Sequence, residues 1–510
     1  MAVGRTDFSA FQKAAFLLAL ALSIRIAFLF LTSNTGTDAW ARYTASLLWG
    51  QRPDHVPSDV WLPLPFWILG GVLHFWPTES AARVFTLLLG TVTILPFYDV
   101  ARMVCSPRIA FYASVVFACL GLHIGYSVST TSEAPALLLL IVGTYCWLRF
   151  KTDLKPKWFI ASAVALNAAA LCRYEAWVFI PLIGILTIVD RGSNDYALSK
   201  RLRTGVAFTL LASLSSVAWS LFSTWKWGDP LAQPHKTAWL NVHQPSVLKP
   251  GIIHRLLAVP GDLMGTLGPL VLALSLIGIV IAIKRRSISP SSDLAIIAVV
   301  MAAFHSFNAV VNGATMARYT LMYSWLFIIL CFYGAQVISS KWTPSHSRTA
   351  LLFTAASFVV WQSFLVLGAY YAPCRIADKL GSVSATLPLR CELRQTISWL
   401  NAHLSATDSV IVDDFGYESS DIVRFSKVGD LRYFRTPFVA ADTGSLLTEL
   451  DAFVQANHPG VLVYAPRGQL GRIWQLPPDE IQHSISGLGF QLSEIWQNGE
   501  YCVYQIAYDR

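Results

Sequence analysis

Charge is what this chain has little of. Only 13% of its 510 residues are Asp, Glu, Lys or Arg, against 54% hydrophobic, where soluble domains carry about a quarter charged residues. That balance excludes a soluble multidomain protein, and the mean hydropathy of +0.50 agrees. No small-residue cleavage site follows the first apolar run, 14–31, so it reads as a retained signal anchor. Internal repeats, low-complexity stretches and N-x-Ser/Thr sequons are also absent. Most of the eight cysteines fall in apolar runs, where Cys acts as a small hydrophobe. Outside those runs lie Cys374, Cys391 and Cys502, where a Cys374–Cys391 bridge could form.

The few charges divide by region. Residues 1–371 hold 27 basic and 14 acidic residues, net +13, while 372–510 hold 11 and 16, net −5. An apolar region with excess Lys and Arg speaks for membrane topology rather than a nucleic-acid groove. Runs long enough to span a bilayer lie near 14–31, 85–100, 109–126, 134–148, 158–171, 177–189, 206–222, 263–283, 295–311, 321–338 and 350–369. Basic residues gather in alternate connections: 101–108, 149–157, 190–203, 284–286 and 339–348. By the positive-inside rule these are cytoplasmic. Parity then puts the proline-interrupted run 61–76 in the interface or in a re-entrant segment.

The expected architecture is an α-helical polytopic membrane protein of about eleven spans, residues 1–371, with its N-terminus cytoplasmic. Residues 372–510 are expected as an extracytoplasmic α/β domain. There, apolar runs at 409–412 and 461–464 alternate with helical patterns near 392–403 and 444–456, before a hairpin at about 488–508.

An ionisable group at membrane depth is costly unless it is paired or lines a wet cavity, which makes such groups functional candidates. On the external side they are few. Asp38 and Arg42 stand four apart in GTDAWARY, on one face of a helix starting near Thr37; the plain alternative is a surface pair at a helix start. Glu133, in STTSEAPALLLL, is alone in a short connection, where it could also be an ordinary helix-start carboxylate with Ser132 as cap. Arg173, Tyr174 and Glu175 turn another corner as CRYEAW, equally readable as a local ion pair with belt aromatics. Arg318 and Tyr319, in MARYTLMYSW, suit phosphate, which a guanidinium grips bidentately, or an interface anchor. Arg25, near the outer end of the first span, is expected to snorkel outward. Trp227, His235, Lys236, Trp239 and His243 enrich a long external loop in groups able to bind phosphate and sugar. Two external carboxylates with nearby arginines suit glycosyl transfer from a lipid phosphate: one acid for the acceptor proton, cations for the departing phosphate.

In these residues the sequence resembles the GT-C superfamily of polyprenyl-phosphate-sugar-dependent glycosyltransferases, in its protein O-mannosyltransferase and aminoarabinose-transferase-like branch. The resemblance covers the span order of residues 1–371. It rests on TDAWARY, WLPLPFWIL (61–69), ESAARVFTLLLGTVTILPFYDVAR (79–102), SEAPALLLL and MARYTLMYSW, in order. It implies Asp38 and Glu133 as the catalytic acids, with a divalent metal, if one takes part, falling to the same two. Arg42, Arg173, Tyr174, His235, Arg318 and Tyr319 are the expected substrate-binding residues. Two departures stand out. Asp38 lies in D-A-W-A-R-Y rather than a paired-acid motif, which argues against a metal. Trp61 and Leu62 occupy the place of the Lys that precedes the double proline in aminoarabinose transferases, which argues against that donor sugar.

The function these features imply is an integral-membrane transferase. It would move a sugar from a polyprenyl-phosphate donor to an extracytoplasmic lipid, glycan or protein acceptor, at the cell inner membrane and with no nucleic-acid partner. The rival is a transporter or flippase of lipid-linked sugars, which would favour broken helices and repeated halves.

Overall fold

The computed structural model describes residues 9–34, 38–53, 58, 60–189, 198–243, 251–285, 289–313, 316–340, 344–371, 391–413, 417–434, 443–465, 490–498 and 500–508. These divide into two compact units, the helices up to Tyr371 and the elements from Cys391 onward.

The helical unit begins with α1 (Ala10–Leu31), α2 (Ala39–Gln51), α3 (Leu64–Phe75), α4 (Glu79–Val92) and α5 (Ile94–Val104). It continues with α6 (Pro107–Ala118), α7 (Gly121–Ser127), α8 (Glu133–Asp153), α9 (Pro156–Ala170), α10 (Glu175–Val189), α11 (Leu198–Ala212) and α12 (Leu214–Trp227). Then come α13 (Ala232–His243), α14 (Ile252–Leu267), α15 (Pro269–Lys284), α16 (Pro290–Asn312), a 3-10 turn at Ala317–Thr320, α17 (Leu321–Ser339) and α18 (Pro344–Tyr371). Local chemistry sets several starts. Ser9 and Gln12 close a capping box on α1, and Pro107, Pro156, Pro269 and Pro290 open α6, α9, α15 and α16, where a missing N–H costs nothing.

Every apolar run expected to span falls on helix. Among the described residues six helices are long and apolar enough to cross a membrane, or nine if each bent pair is one span. The other two expected spans, α9 and α10, have 15 residues each. The run 61–76 forms α3, at 12 residues too short to cross.

Three expected spans are broken rather than continuous. α6 and α7 bend by 58°, α11 and α12 by 47°, and α14 and α15 by 112°. The sharpest break is at Gly268, whose φ of +78° suits glycine and whose missing Cβ leaves room for the Trp361 ring. Trp361 Nε1 donates to the Gly265 carbonyl at 2.7 Å, so the bend is held from α18. α17 is the central helix: Leu321–Ala335 is buried throughout, packed by α6, α8, α15, α16 and α18.

In the second unit, α19 (Cys391–His403), β1 (Ser409–Asp413), α20 (Tyr417–Phe425), β2 (Asp430–Phe434), α21 (Thr443–Asn457) and β3 (Val461–Tyr464) precede a hairpin, β4 (Phe490–Gln497) and β5 (Cys502–Tyr508). The sheet order is β2-β1-β3-β5-β4; β1 pairs β2 and β3 in parallel, and β5 pairs β3 and β4 antiparallel. One face packs Ile411 and Leu462 on Leu450 and Val454 of α21, the other Val410 and Val412 on Leu393, Ile397 and Ile422. Both faces of β1 and β3 are therefore covered, which explains their unbroken apolar runs. This is the α/β unit expected from the sequence, with β2 and α20 added. Cys391 is disulfide-bonded and Cys502 is buried; Cys374 lies outside the described residues.

Candidate active site

Asp38 stands at the start of α2 and Glu133 opens α8, positions where a carboxylate usually caps a helix. Neither end is capped that way: the Asp38 side chain makes no capping bond, nor does that of Ser132. The carboxylates turn to arginines instead. Arg318 Nη1 donates to Asp38 Oδ2 at 2.5 Å across 280 residues of sequence, and Arg42 Nη2 stands 3.9 Å from the same oxygen. Arg173 Nη1 donates to Glu133 Oε1 at 2.6 Å, while its Nε and Nη2 engage Glu175, the latter at 2.6 Å. The local Arg173–Glu175 pair and the long-range tie to Glu133 therefore coexist. Asp38, Arg42, Glu133, Arg173 and Glu175 are all buried.

Polar backbone contacts hold the two acid-bearing connections together. The Thr130 hydroxyl donates to the Ala39 carbonyl at 2.5 Å, and Asn34 Oδ1 accepts from the Thr130 backbone N–H at 2.9 Å. Arg83 of α4 clips the same turn, donating to the carbonyls of Val128 and Thr32, each at 2.8 Å. The Leu64 N–H bonds the Leu171 carbonyl, which ties the start of α3 to the CRYEAW corner.

The arginines differ in how well their charge is met. Burial alone would lower the pKa of Arg173, but Glu175 and Glu133 outweigh it and hold the guanidinium above its ordinary value. Burial lowers the pKa of Arg42 below its ordinary value although Asp38 and Glu133 oppose the change, and Arg318 and Arg173 add to it. The Arg42 guanidinium lies 4.3 Å from the centre of the Trp61 ring and 5.6 Å from that of Phe66. Its Nε and Nη1 are buried with no hydrogen-bond partner.

A small pocket opens beside Arg42. Arg42, Ser46, Thr130 and Thr131 are its polar lining, and Pro65, Phe66, Ile68, Leu69, Phe85 and Leu89 its apolar lining; neither Asp38 nor Glu133 lines it.

Tyr319 joins the group through two cations: the Arg318 and Arg173 guanidiniums lie 5.6 and 5.7 Å from its ring centre. Tyr174 stands beside Arg173, edge-on to Trp177. His235 is not brought here. Exposed on α13, it pairs with Asp229 at 2.7 Å, and the side chains of Trp239 and His243 lie outside the described residues. Arg25 corrects its expected outward reach: it is 1% exposed, donates to the Ala21 carbonyl and lies 2.9 Å from His123 Nδ1. A buried imidazole across the helix boundary replaces the headgroup region as its polar partner.

Sequence reasoning passed over Asn34, Thr130, Arg83, His305 and Tyr323. His305 and Asp262, ionisable groups within apolar helices, could have been flagged on that ground alone. Among the described residues, no three His, Cys, Asp or Glu side chains cluster as a metal site.

Residues 55–219 match the family model described as dolichyl-phosphate-mannose-protein mannosyltransferase. A search of curated protein sequences finds no match. Among solved structures, ArnT from Cupriavidus metallidurans bound to undecaprenyl phosphate is similar at a TM-score of 0.58 and 14% identity, covering 98% of each chain. Its apo state gives the same score and identity over 96% of this chain and 97% of that one. The apo oligosaccharyltransferase of Archaeoglobus fulgidus is similar at a TM-score of 0.50 and 12% identity, over 90% of this chain and 70% of that one. The chain thus has an ArnT-like fold and, as its motifs imply, resembles the GT-C superfamily in architecture and in the segment 55–219.

Proposed function

We propose that this protein is a multi-pass membrane glycosyltransferase that takes a sugar from a polyprenyl-phosphate carrier and transfers it to an acceptor hydroxyl on the non-cytoplasmic side. One observation carries the reading: two acids from separate connections are each held by a distant arginine, and Arg42, 3.9 Å from Asp38, lines a pocket of mixed polar and apolar residues that neither acid itself lines. The mannosyltransferase family match over residues 55–219 and the undecaprenyl phosphate of the similar ArnT structure support it.

The chemistry divides among the residues as follows. Arg173 has every nitrogen engaged by Glu133 and Glu175, whereas Arg42 has Nε and Nη1 buried without a hydrogen-bond partner, so Arg42 takes the donor phosphate. Trp61 holds the guanidinium over its ring, 4.3 Å from the centre, and Phe66 and Leu69 meet the first isoprene units. As the C1–O bond to phosphate lengthens, negative charge grows on the leaving oxygen, where a fixed buried cation counts most. The sugar passes through an oxocarbenium-like state. The acceptor oxygen becomes acidic only as it bonds to C1, so even an arginine-held carboxylate can take the proton at that point. Asp38 is assigned that role, with Glu133 as the supporting carboxylate; a metal, if used, would fall to the same pair. The products are the glycosylated acceptor and polyprenyl phosphate.

The second reading, a flippase for lipid-linked sugars, is favoured by the 112° break between α14 and α15. The acids stand at helix starts rather than at that break, which favours the enzyme. Purified protein incubated with undecaprenyl-phosphate-linked glucose, mannose, galactose and arabinose, plus a membrane extract as acceptor, should release undecaprenyl phosphate from at least one donor. Translocation of those donors in proteoliposomes without release would point to the flippase.

A further inference from the structure

Behind the arginines lies a second polar cluster that the scheme above leaves unused. Three rings are stacked nearly in parallel. His305 of α16 lies 5.8 Å from Tyr319 at 14° and 5.2 Å from Tyr323 at 16°. Both tyrosine rings lie nearly parallel to the imidazole, whose ring nitrogens hydrogen-bond only through its edge. That edge is unsatisfied: His305 Nε2 and the Tyr323 hydroxyl are buried without a hydrogen-bond partner, as is the Tyr174 hydroxyl. His305 is 4% exposed and Tyr323 fully buried. Leaving such atoms unmet is costly, so the partnerless His305 Nε2 and Tyr323 hydroxyl, on rings 5.2 Å apart, argue for a polar occupant.

The surroundings choose its chemistry. All three nitrogens of Arg173 are engaged, by Glu133 through Nη1 and by Glu175 through Nε and Nη2. That leaves Arg173 no donor for a phosphate, and the carboxylates of Glu133 and Glu175 disfavour an anion beside them. A neutral ligand rich in hydroxyls, able to donate and accept, fits such a set.

Resting on the glycosyl-transfer reading, we propose that His305 and Tyr323 form the subsite that recognises the hydroxyls of the donor sugar. Arg42 holds the phosphate of the same donor. The edge of this aromatic stack then decides which sugar is accepted, because a site built to hydrogen-bond a hydroxyl rejects an epimer that leaves its groups unpaired.

The test compares wild type with Tyr323→Phe, which removes one oxygen and keeps the stacked ring, and with His305→Gln. Two readouts are taken: kcat/KM over the four undecaprenyl-phosphate-linked sugars, and binding of undecaprenyl phosphate alone. Both variants should lose about tenfold in kcat/KM for the preferred donor, the scale of one buried hydrogen bond. The loss should be smaller for its epimers, so that the ranking flattens, while binding of the bare carrier stays within about twofold. Unchanged ranking and KM in both variants would overturn the subsite, leaving ordered water as the occupant. Loss of bare-carrier binding would overturn it too, by assigning the cluster to the phosphate or to folding. Wild type that turns over none of the donors would remove the glycosyl-transfer reading first, and this inference with it.

Discussion

Arg173 reaches Glu133 across 40 residues of sequence with Nη1 and holds Glu175, two residues away, with its other two nitrogens. One guanidinium thus neutralises two buried carboxylates and fixes the start of α8 against the corner before α10. Removing it leaves like charges buried together. Arg173→Ala should destabilise the helical unit by about 3–5 kcal/mol, the range for breaking a buried pair. Thermal unfolding in detergent, followed by tryptophan fluorescence, measures it. The double variant with Glu175→Gln should recover part of the loss.

Arg42 is the contrasting case, a buried guanidinium stacked on Trp61 with two nitrogens unmet. Arg42→Lys keeps the charge but gives up the planar fork and the stacking. Undecaprenyl phosphate should bind this variant about tenfold more weakly, with unfolding temperature little changed. Equal affinity in a direct binding assay would move the phosphate site elsewhere.

Two glycines let α15 and α17 approach closely. A Cβ on Gly278 would meet the Leu330 carbonyl oxygen at 2.0 Å, and one on Gly334 would meet the Gly278 backbone at 2.9 Å. Backbone cannot rotate away, so Gly278→Ala should cost about 1–3 kcal/mol. It should also lower transfer, because α17 follows directly from the turn that carries Arg318 and Tyr319. Gly71→Ala, where a Cβ would meet nothing within 4 Å, is the control.

How much of this was legible in the sequence follows from what each signal depends on. Apolar length is local, so every expected span lies on helix. Breaks depend on neighbours: the bend at Gly268 is held by Trp361, 93 positions further on, and no period in the run 263–283 records that. In the α/β unit, β1 and β3 showed as apolar runs because both their faces are covered. β2, reading Asp-Leu-Arg-Tyr-Phe, keeps charges and did not stand out. Asp38, Glu133, Arg173 and Arg318 stand out as candidates because charge is rare beside apolar runs. Which acid meets which arginine was not legible, since the pairings span 40 and 280 residues. Arg25 was misjudged for the same reason: its partner, His123, lies 98 residues away.

The central claim is that Asp38 takes part in the transfer itself, and the most direct measurement is the rate of carrier release by Asp38→Asn. This change keeps the side chain's shape, and insertion and folding are checked by the unfolding temperature in detergent. The account predicts that release of undecaprenyl phosphate from the donor preferred by wild type falls about 10²–10⁴-fold, the share of a positioned acid–base group, with bare-carrier binding retained. A folded, inserted variant that releases the carrier at the wild-type rate would contradict it.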